Sequence, residues 1–164
     1  MKRIFRVLPL CVLMLAVGSV FAFAQKSRAR YKTYANARFA YSISYPVGVL
    51  NPQGEADNGD GQKFSSSDGQ TQMLVYGRNQ MDGETLDKAF QEAQRGDGEK
   101  RRTVSYKILK ANFYVVSGTN DGKIFYEKTM LKNGVFKTFS IEYPPSQKAT
   151  FDPITAKIAA SFVG

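Results

Sequence analysis

The chain has 164 residues, a formal net charge of +9, no histidine and a single cysteine, Cys11. Without an imidazole or a second thiol, Ser-His-Asp and Cys-His catalysis and ordinary zinc or copper sites are excluded. No glycine-rich phosphate loop or dinucleotide fingerprint follows a predicted strand, so we expect neither a cofactor nor an enzyme of those classes.

The first 24 residues have the three parts of a cleavable signal peptide. Three basic residues lie in the first six positions, residues 7–23 carry no charge, and Ala22-Phe23-Ala24 supplies the small residues that a signal peptidase recognises. The alternative is a retained anchor, because an uncharged run of about 17 residues is at the lower limit of a membrane span. We expect cleavage of this signal helix before Gln25, export to the periplasm or the exterior, and no stable membrane span afterwards.

Cleavage leaves 140 of the 164 residues, which is the length of one domain. Residues 25–30 are polar and basic and predict a flexible tether. Residues 31–164 then form the single folded domain. Cys11 and three positive charges leave with the signal, so the mature chain carries a net charge of +6 and has no disulfide.

A first group of strands follows the tether. Large apolar residues alternate with small ones over residues 39–45, a period of two that predicts a strand, and Pro46 ends it. Both faces of residues 71–76 are apolar, which predicts a strand covered on both sides. Asn, Asp, Gly and Pro in residues 51–61 predict a loop. A short strand at residues 63–66 is joined to residues 71–76 by a hairpin turn at Asp68-Gly69, and another short strand is predicted at residues 31–34, before the first.

A helix and four more strands come next. Apolar residues from Leu86 to Ala93 recur at helical spacing, which predicts a helix that begins near Glu84 or Thr85 and ends by Gly96. Alternating and apolar runs, separated by turn signals at Asn120-Asp121-Gly122 and Asn133-Gly134, predict strands over residues 103–109, 113–117, 123–131 and 135–143.

The last predicted element is a second helix. Asp152 is a suitable N-cap, and Pro153 suits the first turn. Strands, a helix, four strands and a helix, joined by short turns, predict an α+β fold with a mainly antiparallel sheet and helices packed on it.

Short motifs in a fixed order carry a resemblance to a known family. A strand ending in Tyr45-Pro46 opens the series, and Phe151-Asp152-Pro153 closes it. Between them lie Asn58-Gly59-Asp60-Gly61, Phe64, Val75-Tyr76-Gly77, Ser117-Gly118, Phe125-Tyr126 and Tyr143-Pro144. The mature chain resembles small exported bacterial proteins of unknown function with a PsbP-like fold. The resemblance implies an α/β/α sandwich and a non-catalytic binding or assembly subunit.

Bases and acids are unevenly distributed along the chain. Residues 25–50 carry five bases and no acid, residues 51–99 ten acids against four bases, and residues 100–164 eleven bases against four acids. The simpler interpretation is that these segments neutralise one another in the fold. The alternative is a basic face that binds an anionic envelope polymer, lipid headgroups or an acidic protein; nucleic acid is not an expected partner of an exported protein. The candidate anion- or partner-binding residues are Arg28, Arg30, Lys32, Lys100, Arg101 and Arg102.

Acidic residues supply two further candidate features. Glu84, Glu92, Glu127 and Glu142 are candidate carboxylates of a hydrolase, although exposed salt bridges explain them equally well. Residues 57–61 have some of the oxygen ligands of a calcium loop but lack the distant glutamate. We therefore predict a tight loop there and no metal site.

These features favour a non-catalytic extracytoplasmic domain that binds an envelope or secreted protein, or an anionic envelope polymer, through a sheet edge or a basic face. Two alternatives stay open. A small carboxylate-dependent hydrolase predicts a cleft that holds two facing acids, with a perturbed pKa. A small-molecule or lipid carrier predicts an apolar pocket between sheet and helix.

Overall fold

The computed structural model of the protein describes residues 30–96, 98 and 101–164. The predicted signal peptide and residues 25–29 of the predicted tether lie outside the described residues, and so do the candidates Arg28 and Lys100. Among the described residues, no helix is both long enough and apolar enough to cross a membrane.

The described part of the chain forms nine strands, two α-helices and a 3₁₀ turn at Pro145–Gln147. The helices are α1 (Leu86–Arg95) and α2 (Lys148–Ser161). The strands are β1 (Tyr31–Asn36), β2 (Tyr41–Pro46), β3 (Asn51–Glu55), β4 (Gly61–Ser65), β5 (Gln72–Asn79), β6 (Arg102–Leu109), β7 (Phe113–Asn120), β8 (Lys123–Lys132) and β9 (Val135–Tyr143).

Strands β3 to β9 form one seven-stranded sheet in the order β3-β4-β5-β9-β8-β7-β6. Every pair in it is antiparallel, and β1 and β2 form a separate antiparallel pair. Asn133-Gly134 joins β8 to β9 as predicted, with φ angles of 53° and 71° that suit the tight turn of a hairpin. The α+β fold is thus confirmed, with β9 at the centre of the sheet and β3 and β6 at its edges.

The two faces of β9 carry different cores. Side chains alternate along a strand, so Phe139 and Ile141 point to one face and Phe136 points to the other. The first face packs against α2 and the β1–β2 pair, while the second packs against α1. The helices therefore lie on opposite faces of the sheet, as an α/β/α sandwich requires.

Lysines of the sheet help to hold the α2 layer. The Nζ atom of Lys128 donates to the carbonyl of Ala159, 3.0 Å away in the last turn of α2, where helix carbonyls lack partners. Lys137 is 5% exposed and donates to the carbonyl of Ala40 at 3.1 Å, in the turn between β1 and β2. Burial lowers the pKa of both lysines. Charged donors therefore reinforce the apolar packing between this layer and the sheet.

Two predictions about the first strands are wrong in part. The predicted loop at residues 51–61 contains β3, which pairs with β4 although it includes Pro52. Because β3 is an edge strand, a proline there need not remove a ladder bond. In β5, Met73 and Val75 are buried on the α2 side, but Leu74 is 38% exposed on the other side. Helix α1 packs over β6 and β7 and leaves that part of β5 uncovered.

Helix α2 begins earlier than its sequence predicts. It starts at Lys148, so Asp152 lies within the helix instead of capping it. The ring of Phe151 stacks on that of Tyr143 with centroids 5.5 Å apart. This contact holds the first turn of α2 against the end of β9, and tertiary packing thus overrides the capping signal.

Gly118 of β7 allows a close approach between two strands. A Cβ atom at this position would lie 1.9 Å from the carbonyl oxygen of Thr103 in β6. The register of the two strands shifts between Val104 and Tyr106, beside this contact. Only glycine fits there without displacing the backbone of the edge strand.

We expect Gly118→Ala to lower the free energy of unfolding by about 3 kcal/mol, the upper end of the usual cost of overpacking, because the neighbouring atom belongs to the backbone. Urea denaturation measures the loss. Ser117→Ala, at the next residue of the same strand, is the control and should cost less than about 1 kcal/mol. A loss for Gly118→Ala as small as that of the control would contradict the close approach.

Candidate functional site

The four predicted basic residues that the structure describes, Arg30, Lys32, Arg101 and Arg102, do not lie on one surface. Arg30 and Lys32 are exposed beside and within β1, whose pair with β2 packs over β4 through Tyr45 and Phe64. Arg101 is exposed at the start of β6, at the opposite edge of the sheet. The structure therefore places Arg30 and Lys32 in the layer beside β4 and Arg101 at β6, with β5, β9, β8 and β7 between β4 and β6 in the sheet.

Arg102 is enclosed, with only 12% of its side chain exposed. Its guanidinium carbon lies 4.1 Å from the centre of the Phe125 ring, a cation–π contact, and Nη1 donates to the carbonyl of Ala93 in the last turn of α1. Nη1 also lies 3.9 Å from Oε2 of Glu127, while the buried Nε has no hydrogen-bond partner among the described residues. Arg102 is therefore part of the α1 interface and not part of an exposed basic surface.

Glu127 of β8 lies beside Arg102. The hydroxyl of Tyr114 donates to its Oε1 at 2.8 Å, and Ser140 is its partner across the sheet. Burial raises the pKa of Glu127, although the Tyr114 hydrogen bond and the charge of Arg102 oppose the shift. Glu127 is thus a carboxyl group whose ionisation is made costly by its surroundings.

Glu142 lies on the same face of the sheet as Glu127. It is the partner of Phe125 across β8 and β9, so it is diagonal to Glu127. The side-chain amide of Asn120 donates to its Oε1 at 2.7 Å, and the buried amide oxygen of Asn120 has no partner in the part of the chain that the structure describes. The structure therefore brings these two candidate carboxylates together.

The other two candidate carboxylates lie elsewhere. Glu84 accepts hydrogen bonds from the Arg78 guanidinium, which hold its pKa below the ordinary value. Glu92 is exposed on α1. In residues 57–61, the side-chain amide of Asn58 donates to Asp60 at 2.8 Å, as expected of a tight loop. No group of three or more potential metal-binding side chains occurs within the described residues.

Glu127 and Glu142 border an open cleft of about 290 Å³ on the α1 side of the sheet. It exists because α1 covers β6 and β7 and stops short of β5. We call it the α1-side cleft, and its main side chains are Lys63, Leu74, Arg102, Glu127, Ser140 and Glu142. A groove on the other face, beside α2, is bordered by Ile124, Tyr126 and Ala156 together with the charged Lys148 and Asp152.

Strand β6 forms a second candidate site at the edge of the sheet. It pairs with β7 on one side, and no described strand lies on its other side. Arg101, Lys107 and Lys110 are exposed along it, and Tyr106 is 54% exposed. Asp121, in the turn between β7 and β8, accepts a hydrogen bond from the backbone N–H of Arg101. We call the three bases and the outer backbone of β6 the basic edge.

The sequence prediction did not single out Lys107, Lys110 or Tyr114. Lys107 lies within the predicted strand 103–109 and Lys110 directly follows it, so a search for bases along and beside predicted strands would have found them. Tyr114 approaches Glu127 only because β7 and β8 pair in this register. No local signal points to that contact.

Comparison with known proteins identifies the fold. No protein-family model matches the sequence, and no curated protein sequence is similar to it. The structure is similar to the solution structure of cyanobacterial PsbP (CyanoP) from Synechocystis sp. PCC 6803, with a TM-score of 0.62 and 14% identity, over 89% of this chain and 99% of that one. The protein therefore has a PsbP-like α+β fold, as the sequence resemblance implied.

The raised pKa of Glu127 predicts a pH-dependent stability. Its ordinary value is 4.5, and the folded chain holds the proton more tightly than the unfolded chain does. Wild-type protein therefore loses stability as the pH rises above that value. The Glu127→Gln variant does not lose this stability, because its glutamine stays neutral. We expect the free energy of unfolding of Glu127→Gln, relative to wild type, to increase from about pH 4 to about pH 7.

Urea denaturation at the two pH values measures this difference. Glu84→Gln is the matched control, because the pKa of Glu84 is lowered and its replacement should change relative stability in the opposite direction. If the stability of Glu127→Gln relative to wild type fell as the pH rose, the effects of Arg102 and Tyr114 on the pKa of Glu127 would outweigh the effect of burial.

Proposed function

We propose that this protein is a non-catalytic extracytoplasmic binding domain that engages an anionic envelope or secreted partner through the basic edge. The observation that carries the proposal is the eight-residue edge strand β6, with Tyr106 54% exposed beside the exposed Lys107. Tyrosine is enriched at protein interfaces, and an unpaired strand presents hydrogen-bonding groups to a partner.

The pattern of ion pairs supports an anionic partner. In the part of the chain that the structure describes, the ion pairs are Arg78–Glu84, Arg102–Glu127 and Lys148–Asp152. Each joins two residues of the same segment, so none links the acidic residues 51–99 to a basic flanking segment. This distribution favours the basic face over mutual neutralisation of the segments.

Export is supported by the predicted signal peptide at residues 1–24. A non-catalytic role is supported by the PsbP-like fold, because the sequence resemblance associates that fold with exported binding or assembly subunits. The groups that the basic edge presents determine whether a protein or a polymer binds there.

We expect the double variant Lys107→Glu/Lys110→Glu to lose capture of its partner from the envelope fraction of its own host, and we expect wild-type capture to weaken as salt is added. The control is Lys88→Glu/Lys157→Glu, which changes the net charge equally at exposed lysines of the two helices. Loss of capture in both variants alike would indicate a non-specific charge effect. If Lys107→Glu/Lys110→Glu still captured the partner, the basic edge would not be the binding surface.

A carboxylate-dependent hydrolase is the second candidate function. It is favoured by one observation, the presence of Glu127 and Glu142 on one face of the same cleft, with the pKa of Glu127 raised. Against it, Glu127 is engaged by Tyr114 and Arg102, and Glu142 is engaged by Asn120. These contacts account for both carboxylates as parts of a polar network beside α1.

The two functions differ in a simple assay. Under our proposal, the wild-type chain releases no more p-nitrophenol from p-nitrophenyl esters and glycosides than the Glu127→Gln/Glu142→Gln double variant does. Release that the double variant lacks would favour the hydrolase.

A further inference from the structure

We infer that the partner binds by adding an extended segment, in which acidic and apolar residues alternate, to the outer side of β6. This inference rests on the proposed function and specifies the chemistry of the partner. Three features of the basic edge support it: the direction of its backbone groups, the side chains on its two faces, and its charge.

The backbone of β6 directs hydrogen-bonding groups away from the sheet. The N–H of Lys110 bonds the carbonyl of Phe113 at 2.8 Å, so these residues form a hydrogen-bonded pair. Hydrogen-bonded and non-hydrogen-bonded pairs alternate in an antiparallel ladder. Leu109 opposite Tyr114 and Lys107 opposite Val116 are therefore non-hydrogen-bonded pairs. Lys107 and Leu109 thus present their N–H and C=O groups to the outer side.

The two edges of the sheet differ in their capacity to accept a strand. At the other edge, β3 is five residues long, contains Pro52 and has a register shift between Pro52 and Glu55. Strand β6 also has a shift, between Val104 and Tyr106, but its pairing from Tyr106 to Leu109 is regular. Only this second half of β6 offers an uninterrupted edge to an added strand.

The side chains of this half predict the pattern of the added segment. Lys107 points to the α1 side, where its Nζ lies 2.6 Å from the side-chain oxygen of Gln94. Tyr106 and Ile108 point to the opposite side, where Tyr106 shares a cross-strand row with Ser117 and Tyr126. An added strand would place alternate residues beside Lys107 and beside Tyr106. Acidic residues suit the first position and apolar residues the second.

Charge disfavours a second copy of this chain as the occupant. Two β6 strands paired edge to edge would bring Lys107 and Lys110 of each copy close to those of the other, without an acid of β6 to offset them. Like charges on paired strands are destabilising. A segment of opposite charge removes this repulsion, which is why the occupant is an acidic segment of another protein.

The test compares Lys107→Pro with Lys107→Ala in the full chain. Both variants lose the ammonium group, but only proline also removes the outward N–H and blocks approach of a new strand. The N–H of Lys107 does not bond β7, so the sheet should survive, and thermal unfolding followed by circular dichroism checks this. The probe is a fluorescent peptide in which glutamate and valine alternate, and binding is measured by anisotropy. A peptide of the same composition, with the residues in two blocks, is the matched control.

We expect wild type to bind the alternating peptide more tightly than the block peptide. We expect Lys107→Pro to bind it about tenfold more weakly than Lys107→Ala does. Should Lys107→Pro not fold, Leu109→Pro against Leu109→Ala makes the same comparison at the other outward residue. Equal affinities of the proline and alanine variants would overturn strand addition, and so would equal binding of polyglutamate, which would indicate a polymer partner.

Failure of this inference is distinguishable from failure of the proposed function. If charge reversal at Lys107 and Lys110 abolishes capture but proline has no effect beyond that of alanine, the basic edge binds its partner by side chains alone. If charge reversal leaves capture unchanged, the proposed surface itself is wrong.

Discussion

The contact between Arg102 and Phe125 decides how one face of the sheet is covered. The guanidinium lies over the aromatic ring and donates to the last turn of α1, so it fixes that helix over β6 and β7. Gly118 makes this possible, because the absence of a side chain lets the edge strand approach β7 closely. Because α1 lies over β6 and β7 and does not reach β5, the surface between Arg102 and β5 stays open and forms the α1-side cleft.

The same contact separates the two candidate sites. Arg102 is used inside the fold beside Glu127, which also accepts a hydrogen bond from Tyr114, and Glu142 accepts one from Asn120. In the basic edge, Lys107 donates to the side chain of Gln94, but within the described residues none of the three bases forms an ion pair, and the outward backbone groups of Lys107 and Leu109 have no partner in the sheet. A surface with unsatisfied groups gains more from a partner than one whose groups are already paired. This difference favours the basic edge as the binding surface and gives the cleft a mainly structural role.

Local patterns predicted the fold better than the site. Residues 135–143 form the predicted strand because the apolar pattern of these residues and the hairpin turn at Asn133-Gly134 both indicate a strand there. Strand β3 was missed because Pro52 and glycine lower its propensity, and pairing with β4 overrides them. The local sequence predicts that α2 starts at Asp152 instead of Lys148, because it does not show the tertiary contact between Phe151 and Tyr143. The enclosure of Arg102 depends on strand register, glycine and a helix distant in sequence, and adjacent charges alone do not reveal it.

Amide hydrogen exchange of the full chain, with and without its captured partner, shows whether the partner binds along the outer side of β6. We expect binding to protect the amides of Lys107 and Leu109, which have no partner within the sheet. Exchange should be unchanged in Leu74 and Glu142 of the α1-side cleft and in Lys32 of β1. Protection in the cleft or in β1, with none at Lys107 and Leu109, would show that the partner binds elsewhere.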